Sequence, residues 1–142
     1  MGTLTNIRRV RIEWGDCDPQ GIVFFPRYLA MFDDSTAYLF ERALGITKYR
    51  MMQVYEFAGF PLVDVRARFI LPSRFGDDVD IESKIGEFRR SSFVVEHRLR
   101  KGDELAVECF ETRVWVRRHP DDPNDMQSQP VPREVKERFE VA

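Results

Sequence analysis

Residues 26–45 read PRYLAMFDDSTAYLFERALG. Pro26 stands where a helix starts and Gly45 where one stops, the usual asymmetry of helix ends. Between them Tyr28, Leu29, Phe32, Ser35, Leu39, Ala43 and Leu44 recur near helical spacing, and Met31, Tyr38 and Phe40 widen the apolar surface. The spacing predicts a helix of about five turns, apolar around much of its girth. Such a helix has to be embraced by other elements.

The flanking sequence supplies them. Upstream, Val10, Ile12 and Trp14 line one face of a strand over residues 7–14, and GDCDPQG (15–21) reads as a turn or loop. Downstream, ITKYRMMQVYEFAG (46–59) predicts a short second helix ended near Gly59. In PLVDVRARFIL (61–71), Val63, Val65, Ala67, Phe69 and Leu71 share a face, with Asp64, Arg66 and Arg68 opposite. RFGDD (74–78) is a turn. VDIESKIGEF (79–88) gathers Val79, Ile81 and Ile85, and SSFVVEHRLR (91–100) gathers Phe93, Val95, His97 and Leu99. KGDE (101–104) signals a hairpin. LAVECFETRVWVRR (105–118) brings Ala106, Phe110, Val114 and Val116 roughly to one face. HPDDPNDMQSQP (119–130) reads as a polar loop, and PREVKERFEVA (132–142) as a short C-terminal helix with Pro132 near its start.

One strand, one long helix and four further strands make an α+β layout: a roughly five-stranded antiparallel sheet wrapped around the long central helix. A single helix covers only part of such a sheet. The uncovered edge and ends point to a homo-oligomer.

The chain has 142 residues, which suits one domain over 1–142. A formal net charge of −2 gives no footprint for nucleic acid. The 12 Phe call for a large core, an aromatic-lined pocket or a buried subunit interface. Cys17, Cys109, His97 and His119 have no metal-site spacing, so no metal is expected. No signal peptide, myristoylation signal or membrane span is apparent, so a cytoplasmic location with reduced thiols is expected. His97 falls on an apolar strand face and reads as a satisfied core residue. Cys17 has nothing basic beside it to activate it and reads as a small packed residue.

The stretch EWGDCDPQGIVFFPRY (13–28) is where chemistry is to be sought. Asp16 and Asp18 lie in a loop directly before the helix. A helix N-terminus presents unpaired N–H groups and a partial positive charge, which polarise a carbonyl and stabilise an oxyanion. A carboxylate beside it could attack that carbonyl or activate water against it. An Asp before a helix also serves simply as a cap. Spacing alone leaves both readings open.

The segment GDCDPQGIVFFPRY (15–28) resembles the signature of the 4-hydroxybenzoyl-CoA thioesterase family, acyl-CoA thioesterases of the hotdog fold. The similarity continues through MFDDST (31–36), FRRSSF (88–93) and the strand order, over nearly the whole chain. The resemblance implies hydrolysis of an acyl-CoA to free acid and CoA, with Asp18 as nucleophile or general base. The Phe25 amide would polarise the thioester carbonyl, Gly21 would allow a tight approach to the helix, and Pro19 would stiffen the loop. No cofactor is implied, since CoA is part of the substrate, and no GxSxG, HExxH or P-loop is present.

Pro26 stands where many relatives acting on aliphatic acyl-CoAs carry His, which favours an aromatic acyl group. Asp33 matches an acid that contacts the substrate's phenolic hydroxyl, although it also fits a plain polar position on the helix surface. Phe24, Phe25 and Phe60 are candidate pocket walls, Phe24 fitting plain core as well. Phe60 replaces a smaller polar residue of the hydroxybenzoyl enzyme. Arg89 and Ser92 match contacts to the CoA phosphates, with Arg90 and Ser91 beside them. Ser91 replaces a Lys, and Arg117 and Arg118 are alternative cations. The site is expected at a subunit interface, with Asp18 on one chain and part of the CoA site on the other, in a dimer or a dimer of dimers. The alternatives are a short- or medium-chain aliphatic thioesterase and a non-catalytic acyl-CoA binding module. A dehydratase of this fold would need a His on the helix, where neither His97 nor His119 falls.

Overall fold

In the computed structural model of the chain, which describes residues 2–122 and 124–141, the long helix α1 spans Phe25–Leu44. It begins with Pro26 in its first turn. It ends at Gly45, whose left-handed φ of 71° turns the chain away while its amide donates to the Glu41 carbonyl. Tyr28, Met31, Phe32, Leu39, Phe40 and Leu44 are buried, as the apolar periodicity requires.

The elements in chain order are β1 (Gly2–Thr3), β2 (Thr5–Arg11), α1, α2 (Lys48–Val54), β3 (Leu62–Phe69), β4 (Asp78–Phe88), β5 (Ser92–Lys101), β6 (Glu104–Val114), β7 (Val116–Arg118), β8 (Met126–Ser128), α3 (Arg133–Glu137) and β9 (Glu140–Val141). A 3-10 turn occupies Trp14–Asp16. The main sheet is antiparallel in the order β2-β4-β5-β6-β3. One face packs on α1. Two small pairs, β1 with β9 and β7 with β8, close the remaining ends.

Strand polarity divides the molecule into two ends. The registers Arg11↔Asp78, Asp80↔Arg100 and Phe69↔Val107 put the end of β2, the start of β4 and the end of β3 together with the start of α1. The registers Phe88↔Phe93, Ser92↔Val114 and Leu62↔Arg113 define the other end. Ten strand steps separate Asp78 from Phe88, about 30 Å.

The core follows the same division. One apolar cluster, with Ile12, Tyr28, Phe32, Ile81, Leu99 and Val107, underlies the first half of α1. A second, with Phe40, Phe57, Phe60, Phe93, Trp115 and Phe139, surrounds the last half. Buried polar residues accompany these clusters: Ser35, Thr36, Ser83, His97, Glu111 and Arg113.

Several expectations need correction. The first strand ends at Arg11, and Trp14 lies exposed on the 3-10 turn rather than in line with Val10 and Ile12. The cause is local: Ile12 N–H donates to Asp77 and the Ile12 carbonyl accepts from Gly76, which turns the chain out of the sheet. In β6, Ala106 and Val107 are both buried and the register slips between Leu99 and Arg100. This bulge reverses the expected parity, so Cys109, Glu111 and Arg113 face inward and Phe110 and Val114 outward. The second helix stops at Val54, well short of Gly59. The segment 119–130, of which Pro123 lies outside the described residues, contains strand β8.

Strand β3 is one of the sheet's two edges, β2 the other. Val65, Ala67 and Leu71 are half-buried, while Val63 and Phe69 of the same expected face are exposed.

Candidate active site

Asp16 and Asp18 are two residues apart and held in opposite ways. Asp16 is buried and both its oxygens are engaged. Oδ2 accepts from the Glu13 amide at 2.9 Å, and Oδ1 accepts from Arg27 Nε and Nη2 at 3.1 and 3.0 Å. Its carbonyl accepts from the Phe24 amide at 2.8 Å, which ties the loop to the start of α1. Asp16 therefore fixes the loop.

Asp18 is half-buried at the head of a tight turn in which the Gly21 amide donates to the Asp18 carbonyl at 2.9 Å. Pro19 occupies the second turn position and suits it by its fixed φ. Gly21 has φ of 83°, a region costly for a residue with a side chain. Asp18 Oδ1 accepts from the Gln20 amide at 2.8 Å, and Oδ2 has no hydrogen-bond partner among the described residues. Asp18 thus has a fixed backbone and a free carboxylate oxygen.

The start of α1 concentrates its donor capacity in one group. Pro26 has no N–H, and the Arg27 amide donates to the Phe24 carbonyl at 2.8 Å. The Phe25 amide, first in the helix, has no intrahelical acceptor and sits at the positive end of the helix dipole. A cavity of about 280 Å³ opens here, lined by Ile22, Val23, Phe25, Tyr28, Phe69 and Leu71 among others. Phe25 is 58% exposed, and its ring lies 6.4 Å from that of Phe69. Phe24 is exposed beside it. Phe60 is elsewhere: the residue is 4% exposed, its ring stacked on those of Phe40 and Phe57 at 4.8 and 5.4 Å. It is core of its own chain and not a wall of this cavity.

Asp33 lies on the exposed side of α1, and its Oδ1 accepts from Arg113 Nη2 at 2.8 Å. Arg113 belongs to a network that the residue-by-residue reading missed. Thr36 Oγ1 donates to Glu111 Oε1 at 2.6 Å, and His97 Nε2 meets the same oxygen at 2.9 Å. Ser83 Oγ lies 2.7 Å from His97 Nδ1. Burial would push the Glu111 carboxyl up, but the hydrogen bonds and charges of His97 and Arg113 outweigh it and hold it down at about 2. Ser83, His97 and Glu111 have the order of a nucleophile, base and acid set. All three are buried within the sheet-helix interface, so they reach no substrate, and His97 is the satisfied core residue expected. Burial, with the Glu111 charge adding, pushes the Cys109 thiol up to about 12 and leaves it inert.

Arg89, Arg90 and Ser91 form the turn between β4 and β5, with Ser92 opening β5. The turn's backbone is fixed: the Arg89 amide donates to the Ser92 carbonyl, and the Ser91 and Arg90 carbonyls accept from Trp115 and Val131. Both Arg side chains are exposed. Arg89 makes only a surface pair with Glu87, at 3.1 Å. Arg117 and Arg118 border a separate cavity of about 420 Å³ with Phe57 and Pro120. The structure does not bring Arg89–Ser92 to Asp18 within one chain, because the two lie at opposite ends of β4.

Among the described residues no cluster of three or more His, Cys, Asp or Glu is disposed to hold a metal, and no helix is long and apolar enough to cross a membrane.

Residues 12–139 match the family model described as the thioesterase-like superfamily. The 4-hydroxybenzoyl-CoA thioesterase of Pseudomonas sp. (strain CBS-3) is 37% identical over 112 residues, 75% of this chain and 79% of that one. Its solved structure superposes with a TM-score of 0.84 at 29% identity, covering 94% of this chain and 98% of that one. A mutant 4-hydroxybenzoyl CoA thioesterase complexed with 4-hydroxybenzoyl CoA gives 0.86 at 29% identity, over 96% and 99% of the two chains. A gentisyl-coenzyme A thioesterase gives 0.79 at 29% identity, over 92% and 99%. The sheet wrapped on one long helix is the hotdog fold, and the chain belongs to the thioesterase-like superfamily.

Proposed function

We propose that the chain hydrolyses the thioester of an aromatic, 4-hydroxybenzoyl-like acyl-CoA, releasing the free acid and CoA. The observation that carries this reading is Asp18: a carboxylate with one oxygen free of partners among the described residues, in a loop tied to a helix start whose first amide, that of Phe25, has no intrahelical acceptor. The relatives named for aryl-CoA thioesters support the substrate class.

The carbonyl oxygen of the thioester accepts from the Phe25 amide, which stabilises the developing oxyanion. Asp18 acts as nucleophile or as general base for water. As nucleophile, Asp18 forms a mixed anhydride as the C–S bond breaks, and water then hydrolyses the anhydride to the free acid and restores the carboxylate. As base, Asp18 takes a proton from water, whose oxygen bonds to the acyl carbon as the C–S bond breaks. In both routes the CoA thiolate takes up a proton that comes from that water. The aryl ring occupies the apolar cavity beside Phe25 and Phe69. Asp33 lies eight residues along α1 from Phe25, a rise of about 12 Å. That span is of the order of a para-hydroxylated aryl acyl group with a hydrogen bond at either end.

The phosphates of CoA fall to Arg89, Arg90, Ser91 and Ser92 of a second subunit. Edge strand β3 exposes Leu62, Val63 and Phe69, and Ile70 just beyond it is exposed too. Antiparallel pairing of two such edges about a twofold axis would bring the Arg89–Ser92 end of one chain to the Asp18 end of the other. The working unit is then a homodimer or a dimer of dimers. Each chain would be one domain over 1–142, acting in the cytoplasm without a cofactor.

CoA release from 4-hydroxybenzoyl-, benzoyl-, phenylacetyl-, hexanoyl- and acetyl-CoA, with Asp18→Asn in parallel, tests the proposal. The expected result is fast turnover of the aryl members and a loss of about 10²- to 10⁴-fold in Asp18→Asn. Faster turnover of hexanoyl-CoA would favour an aliphatic substrate. CoA binding without turnover would favour a binding module.

A further inference from the structure

Arg113 sits at the end of β6 with its guanidinium held on several sides. Nε and Nη2 donate to Oε1 and Oε2 of Glu111 at 3.1 and 2.8 Å, and Nη1 donates to the Phe60 carbonyl at 3.1 Å. Glu111 is itself fixed from behind by Thr36 and His97. The Arg113 side chain is 5% exposed, while that of its remaining partner, Asp33, is 62% exposed. An ion pair between two exposed side chains is weak because both lose rotamer freedom on forming it. Here one partner is already immobile, so only Asp33 has freedom to lose. Thr36 and Asp33 lie three residues apart on α1, and both reach β6, so the helix is fastened to the strand at two neighbouring points. Asp33 Oδ1 is taken by Arg113, and Oδ2 remains available at the surface.

We infer that Arg113 is the specificity-determining positioning residue of this site: it pins the Asp33 carboxylate so that Oδ2 meets the hydroxyl of an aromatic acyl group. The inference rests on the hydroxyaryl reading proposed above, and deepens it. Arg113 touches no substrate. Its planar fork serves Glu111 and Asp33 together, which the point charge of Lys does not. Preference for hydroxylated over unsubstituted aryl thioesters therefore depends on Arg113 as much as on Asp33.

The test compares kcat/KM for 4-hydroxybenzoyl- and benzoyl-CoA in the wild type, Asp33→Asn, Arg113→Lys and the double variant, with thermal unfolding of each. The wild type is expected to prefer the hydroxylated substrate. Arg113→Lys is expected to cut that preference by about tenfold or more, the worth of one hydrogen bond to a charged group, chiefly through KM. In the Asp33→Asn background the same change is expected to have no further effect on the ratio. A merely structural residue would depress both substrates alike.

Arg113→Lys keeps the charge but loses the fork that pairs with both Glu111 oxygens, and can fail to fold, so a second variant, Glu111→Gln with Arg113→Gln, removes both buried charges together. It too is expected to lose the preference. A preference that depends on Asp33 yet survives in a folded Arg113 variant overturns the inference alone. A wild type that does not distinguish the two substrates overturns the hydroxyaryl reading, and the inference with it.

Discussion

At the Leu44 end of helix α1, Phe40, Phe57, Phe60, Phe93, Trp115 and Phe139 are buried against one another, with ring centroids 4.4–6.5 Å apart among these stacks. At the Phe25 end, Trp14, Phe24, Phe25, Phe69 and Phe75 stand largely in solvent. Burying one such ring contributes about 1.5–3 kcal/mol, so the first end can stabilise the fold and the second gives much of that up. An exposed cluster of this kind marks a surface that something else covers. The same helix thus has a closed end that holds the chain together and an open end, which the proposed function gives to substrate and a second subunit.

The comparison breaks most visibly in mixed oligomers. If the open end of one chain works with the Arg89 turn of another, Asp18→Asn and the Arg89→Ala, Arg90→Ala pair are each nearly inactive. Unfolded and refolded together, they are expected to recover roughly a quarter of wild-type turnover, because half the dimers are mixed and each mixed dimer holds one intact site. Turnover that stays at the level of the separate variants would mean that one chain carries the whole site.

Stability sharpens it next. Phe40→Ala at the closed end is expected to cost about 3–5 kcal/mol in chemical unfolding. Phe69→Ala at the open end is expected to cost under about 1 kcal/mol and to raise KM for aryl substrates. Equal losses would erase the distinction between the two ends. The polar network has its own signature. Glu111 is held at about 2, below its ordinary value of 4.5. A carboxyl lowered in the fold stabilises it above the ordinary value, and that contribution is lost as pH falls from about 4.5 towards 2. Glu111→Gln is expected to lose about 3–5 kcal/mol at neutral pH, with the gap to wild type narrowing across that acid range. A gap constant with pH would remove the charge from the explanation.

The two ends were not equally legible in the sequence. Helix α1 was, because Pro26 and Gly45 mark its limits and its apolar residues keep a helical period. Strands β4 and β5 were, because Val79, Ile81 and Ile85, and Phe93 through Leu99, alternate without interruption on the buried face. The inward face of β6 was not. A bulge at Ala106 inverts the parity, and parity is all that alternation offers. That one slip hid Glu111 and Arg113, since both then read as outward-facing charges. Strands β7 and β8 have three residues each, too few for a period to register. The Asp18 loop stood out by its long motif, but nothing in the motif told that Asp16 is the structural acid. That follows from Arg27 and the Glu13 amide closing on it.

The smallest expected effect isolates geometry from energy. Gly21 and Gly45 bracket α1 with φ of 83° and 71°, and a Cβ at either meets nothing closer than ordinary contact. Substitution by Ala therefore costs mainly backbone strain, about 1–2 kcal/mol at each position. Gly45→Ala strains the closed end, and its loss is expected in thermal unfolding alone. Gly21→Ala strains the turn that carries Asp18, and kcat is expected to fall several-fold with substrate preference kept. A displaced carboxylate slows every thioester alike, whereas a disturbed cavity would change the order of substrates. If Gly45→Ala lowered kcat as much as Gly21→Ala at the same loss of stability, the effect would be general loosening, and the Asp18 turn would have no special claim on the chemistry.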